Sequence, residues 1–117
     1  MSSETNTSKV VWLVNKGGHD YSKLEKHGRI IALTTGSINP FNPDRIMVGL
    51  AQHLKMAKVD DYLAISGLPI INAIALAMWL TKFGTVNVLQ HSVRKDDYVF
   101  LRVSQAAIDS NLKETEK

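Results

Sequence analysis

Apolar residues fall into two kinds of block along this chain. The runs VVWLVN (10–15), RIIALTT (29–35) and DYLAIS (61–66) are apolar on both alternating sets of positions and rich in β-branched and aromatic side chains. That pattern predicts central strands of a sheet covered on both faces. Between the runs the spacing turns helical. From Pro43 to Ala57, the residues Ile46, Met47, Leu50 and Leu54 recur at helical intervals, while Gln52, His53 and Lys55 lie elsewhere on the wheel. Asn42 is placed to cap this helix and Pro43 to open it. A second helix is predicted from Pro69 to Phe83, with Gly84 as its stop. A shorter one is predicted over SKLEKHG (22–28), where Ser22 and Glu25 have the spacing of a capping box and Gly28 ends the segment.

TVNVLQHS (85–92) and YVFLRVS (98–104) read as two more strands, joined by a turn at RKDD (94–97) and therefore antiparallel. The order is β-α-β-α-β-α-β-β. Strands alternating with helices predict a parallel sheet with right-handed crossovers, and the closing hairpin adds an antiparallel edge strand. The expected class is α/β: a small three-layer, Rossmann-like fold with a mainly parallel sheet of about five strands. Residues 1–9 are polar and predict a disordered tail, 10–104 a single domain, and 105–117 a tail or frayed helix.

Composition narrows the function classes. A chain of 117 residues, 44% hydrophobic, fits one domain with a real core. The absence of cysteine excludes disulfides, cysteine zinc sites and thiol catalysis. It agrees with a reducing compartment, and the host cytoplasm is the expected location. The polar start predicts no secretory signal. The longest apolar run, PIINAIALAMWL, falls short of the roughly 20 residues that span a bilayer. It reads as a buried helix, with no membrane partner. Between residues 10 and 103 there are eleven basic and seven acidic side chains. This mild excess permits an anionic partner without requiring a polynucleotide.

The polar residues collect where predicted strands end. The first strand runs into Asn15, Lys16, Gly17, Gly18, His19 and Asp20; the second into Thr34, Thr35, Gly36, Ser37 and Asn39; the third into Ser66 and Gly67, then Pro69 and Asn72. In open parallel sheets, ligands bind beyond these carboxyl ends. Glycines let a ligand approach backbone N–H groups, and Lys16 adds a full positive charge. The expected ligand is a small phosphate-bearing molecule, a nucleotide among the candidates. Its expected contacts are Lys16, Gly17, Gly18, His19, Asp20, Thr35, Ser37, Ser66, Gly67 and Asn72. Each has a plainer reading: turn glycines, a helix-capping Asp20, loop hydroxyls bonded locally.

His19 is the one candidate catalytic group, as acid or base in a small hydrolase. Its neighbour Asp20 is too close in sequence to face it as a dyad. The histidines at 19, 27, 53 and 91 lack metal-ligand spacing, so no metal is expected. GGHDYS and SGLP match neither the P-loop nor G-x-G-x-x-G, and no cofactor is expected. Arg94, Lys95 and Arg102, with His91, mark the terminal hairpin as an alternative contact for nucleic acid or a host protein, although Asp96 and Asp97 dilute its charge. The helix at 69–83 is apolar nearly all round, which a small domain cannot easily cover, so a homodimer through it is expected. Asn72 within it needs a partner from backbone or ligand.

The series N-x-GGHDYS, then a strand ending TTG-x-IN, then DDYL-x-ISG, resembles small uncharacterised proteins encoded by bacterial viruses. The likeness spans roughly residues 10 to 103. It implies a phage setting and carries over no catalytic residue.

Overall fold

A computed structural model describes residues 9–115; apart from Lys9, the tail expected at 1–9 lies outside them. Five strands form one sheet: β1 (Val10–Lys16), β2 (Arg29–Thr35), β3 (Tyr62–Ala64), β4 (Thr85–Ser92) and β5 (Asp97–Ser104). Their spatial order is β2-β1-β3-β4-β5. The first four are parallel neighbours, and β5 pairs antiparallel with β4. The α/β class and the closing hairpin are as the sequence predicts.

β1 sits at the centre because both of its faces are apolar. Val10, Trp12 and Val14 point to one side of the sheet, Val11 and Leu13 to the other, and all are buried. The first side is covered by two helices, α1 (Pro43–Leu54) and α2 (Pro69–Phe83). Ile46 and Leu50 of α1 meet Ile71, Ala75 and Trp79 of α2 over Leu33, Leu63, Val86 and Val88. Trp12 and Trp79 lie with ring centroids 6.3 Å apart. Each buried indole removes roughly 150–250 Å² from water, so this pair dominates the core.

The second side is thin, and here the sequence expectation needs correcting. Instead of a helix over 22–28, the chain makes a single 3-10 turn, Ser22–Leu24. The Ser22–Glu25 capping box does not form: Asp20 Oδ1 accepts the Ser22 N–H at 2.9 Å and takes the place of the cap. Of the predicted helix, Leu24 and the terminal Gly28 are buried, and Leu24 alone buries a side chain. One buried side chain gives a short helix little tertiary support, and an isolated helix this short is unstable in water. Leu24 packs with Val11, Leu13, Ala64 and Leu89, flanked by Tyr21, Ile30, Tyr62 and Tyr98. Lys23 and Lys26 then reach across to Asp96 and Asp97 of the hairpin, at 2.8 Å and 2.5 Å.

The remaining bounds shift slightly. β1 extends through Lys16, α1 ends at Leu54, and β3 is trimmed to 62–64. Gly84 ends α2 at φ 74°, its N–H returning to the Leu80 carbonyl at 2.8 Å. Residues Gln105–Thr115 form α3, which buries no side chain. Among the described residues, no helix is long and apolar enough to cross a membrane.

Candidate functional site

The order β2-β1-β3-β4 fixes where an opening must lie. From β1 the chain passes along one side of the sheet to β2; from β3 it passes along the other side, through α2, to β4. The loops leaving β1 and β3 therefore part company at their carboxyl ends, and a crevice opens between them. The structure has a cavity of about 380 Å³ there, lined by Asn15, Gly17, His19, Tyr21, Gly36, Ser37, Ile38, Gly67 and Leu68. The turns after residues 15, 35 and 66 meet at one rim.

Asn15 holds that rim together. It is 9% exposed. Its Nδ2 donates to the Gly36 carbonyl at 3.2 Å, and its Oδ1 accepts from Thr34 Oγ1 at 3.0 Å, which ties β1 to the loop after β2. Its backbone N–H donates to Ser66 Oγ at 2.9 Å, and Ser66 Oγ donates back to the Asn15 carbonyl at 2.8 Å, which ties β1 to the loop after β3. Asn72, from the first turn of α2, continues the network. Its Oδ1 accepts the Ser66 N–H at 3.0 Å, and its Nδ2 donates to the carbonyls of Ser66 and Leu68 at 2.9 and 2.8 Å. The partner that a buried amide requires is thus backbone.

Gly67 belongs to the same construction. It adopts φ 78°, and a Cβ there would lie 2.7 Å from Asn15 Cβ. Any other residue would be strained in that conformation and would push the Asn15 side chain out of place.

Tyr21 closes the other wall. Its hydroxyl accepts the Gly17 N–H at 3.0 Å and donates to the Asn15 carbonyl at 3.5 Å, so the two-glycine turn is folded back onto the aromatic ring. His19 meets Tyr21 edge-on, with centroids 6.2 Å apart. Neither Tyr21 nor Asn15 stands out as a site residue in the sequence. The available signals were the tyrosine inside GGHDYS and an amide at the end of an apolar strand.

The expected contact residues divide into three groups. Gly17, His19, Ser37 and Gly67 line the cavity. Ser66 and Asn72 build it but use their side chains on the backbone. Lys16 and Asp20 lie beyond Tyr21, in a second depression of about 390 Å³ that Glu25 also lines. Asp20 is held below the usual carboxylate range, chiefly by the Ser22 backbone N–H and then by the Ser22 hydroxyl. Gly18 and Thr35 are exposed and line neither opening.

This division matters for charge. Among the described residues no carboxylate lines the first cavity, whereas Asp20 and Glu25 line the second with Lys16. The first presents the His19 ring, the Ser37 hydroxyl and backbone N–H groups beside α2. That helix opens at Leu68 with no side-chain cap. Among the described residues, the Ser37 hydroxyl has no hydrogen-bond partner. Free donors without a competing carboxylate favour an anion.

The terminal hairpin is less coherent. Arg94 and Lys95 are exposed in its turn, but Arg102 sits toward the far end of β5, paired in register with Asn87. At about 3.3 Å per residue this separates it from Lys95 by roughly 20 Å. Its Nε donates to Thr85 Oγ1 at 3.4 Å. Asp96 and Asp97 are occupied by Lys23 and Lys26. The three basic residues thus form no single patch.

A family model described as Phage Pam3 gp32-like protein matches residues 7–105. That interval holds every strand, both core helices and all residues lining the cavity. No curated protein and no solved structure matches the chain.

Proposed function

The chain belongs to the phage Pam3 gp32-like family, and we propose that it is a small binding protein that captures a phosphate-bearing small molecule at the carboxyl ends of its parallel strands. The observation that carries this reading is the cavity between the diverging loops of β1 and β3, lined by His19, Ser37 and the glycine turns and by no carboxylate among the described residues. In this reading the anion takes the Ser37 hydroxyl, the His19 ring and the backbone N–H groups at the uncapped start of α2. Lys16, across Tyr21, contributes charge at longer range.

Binding rather than turnover is the better reading. His19 has an aromatic edge against it and, among the described residues, no hydrogen-bonded carboxylate to fix its tautomer. The hairpin reading is weaker, because Arg94 and Lys95 stand apart from Arg102.

Calorimetric titration with inorganic phosphate and with phosphomonoesters tests the proposal. Saturable binding that weakens at least about tenfold in Ser37→Ala or His19→Ala, with thermal stability unchanged, supports it. Absence of heat and of any thermal shift at millimolar anion rejects it, since a ligand selective for the native state must raise its stability.

A further inference from the structure

The cavity at the switch point does not end at the loop after β2. On the far side of Ser37 and Ile38 lies a second cleft of about 260 Å³, lined by Thr34, Ser37, Ile38, Asn39, Asn42, Arg45, Ile46 and Gly49. Ser37 and Ile38 line both openings. The two spaces differ in character. The first is the more polar and holds free donors. The second runs between the loop and α1, and its floor is the aliphatic surface of Ile38 and Ile46 beside a helix position with no side chain, Gly49.

That glycine has no conformational reason to be there. It lies inside α1, its φ is not positive, and a Cβ added to it would meet nothing within 4 Å. Glycine in a helix interior destabilises it relative to alanine. What it leaves is a flat strip of helix backbone next to two isoleucines, suited to the face of a planar ring.

The polar rim of this cleft offers donors. Asn39 Oδ1 accepts the Phe41 N–H at 3.0 Å, and Asn42 Oδ1 accepts the Arg45 N–H at 3.2 Å. Both amides keep their N–H2 groups uncommitted, and the Arg45 guanidinium makes no ion pair among the described residues. A ring that fits here carries acceptors on its edge, as purines do through their ring nitrogens.

We infer that the ligand is bipartite, a purine nucleoside monophosphate whose phosphate lies in the Asn15–Ser37 cavity and whose base lies on Gly49 between Ile38 and Ile46. This rests on the anion-binding reading above and extends it to the other half of the molecule. The loop at 37–38 is the saddle over which the sugar passes.

The full chain is titrated with inorganic phosphate, with adenosine and guanosine 5′-monophosphates, and with the two nucleosides. The expected result is that at least one nucleotide binds ten or more times tighter than phosphate. Gly49→Leu should fold normally, since its side chain enters open space from a helical backbone. It should remove the nucleotide's advantage while leaving phosphate affinity within twofold. Arg45→Ala should reduce that advantage in part. If phosphate binds and neither base adds affinity, the bipartite ligand is wrong and anion capture stands. The bipartite ligand is equally overturned if Gly49→Leu keeps the full preference for nucleotide. If neither phosphate nor nucleotide binds, anion capture itself fails and takes this inference with it.

Discussion

At the amino ends of β1 and β3, Asp61 is 3% exposed, and its carboxylate takes N–H bonds from Val10, Trp12 Nε1 and Lys58 at 3.1, 3.0 and 2.9 Å. Asn87 adds a strap from β4, its Nδ2 donating to the carbonyls of Val59 and Asp61. At the carboxyl ends of the same strands, Asn15 does the corresponding work with Thr34, Gly36 and Ser66. Both hubs are short polar side chains that tie neighbouring strands. The lower hub is sealed and saturated. The upper hub is equally bonded, but around it lie a cavity and a hydroxyl, that of Ser37, with no partner among the described residues. The difference separates a polar network that serves stability from one that also holds a surface ready for something else.

The sharpest way to break the comparison is at the lower hub. Asp61→Ala orphans two buried N–H groups and a half-buried third and should cost about 3–5 kcal/mol in urea unfolding, with no effect specific to ligand. At the upper end, Gly67→Ala should cost about 1–3 kcal/mol, from strain at φ 78° and from the collision with Asn15. It should also distort the cavity, so anion affinity falls along with the melting temperature. Ser37→Ala should leave stability within about 0.5 kcal/mol, because the hydroxyl bonds none of the described residues. A drop of several kcal/mol there would mean that the upper hub is only another staple.

Acid should act on the lower end first. His27 lies in the turn before β2 with Nε2 buried and unbonded, its ring 5.4 Å from that of Tyr62. Burial pushes its pKa below 6.5, and Lys26 adds to the shift, against a smaller opposing pull from Asp97. The unfolded chain therefore takes up this proton first as pH falls. The stabilising contribution is whole above pH 6.5 and declines from there down to the depressed native pKa. Urea midpoints between pH 8 and 5 should fall accordingly, and His27→Gln should flatten the slope. The carboxylates of Asp96 and Asp97, lowered chiefly by hydrogen bonds from Lys23 and Lys26, act only below 3.8 and leave this window clear.

The residues that were legible in advance are those whose physics is local. A strand apolar on both sets of positions, a proline after an asparagine, and a glycine after a long apolar helix each carry their meaning within a few residues. They set the element order, and with it the meeting of the three turns. The segment 22–28 misled because the S-x-x-E spacing is also local, while Asp20 claims the Ser22 N–H and only Leu24 finds a core. The hubs were illegible for the opposite reason. Asp61 is bonded to residues 49 and 51 positions away, and Asn15 to a serine 51 positions away. Nothing around DDYL announces that its second aspartate will be buried under a tryptophan N–H. For the same reason nothing near Lys16 in the sequence tells that it lines the second depression, with Tyr21 lining both openings.

The brevity of the first crossover also bears on how a guest would enter. Arg29 stands in register with Val10, so residues 17–28 must carry the chain back along all of β1, roughly 23 Å at about 3.3 Å per residue. Leu24 anchors the middle of that tether, and Tyr21 and the Lys23 and Lys26 ion pairs fasten it on either side. A tether pinned at these points does not swing aside as a door. Admission to the cavity falls to rotamer changes at His19 and to the 36–42 loop, and association should follow a single exponential with no slow opening step.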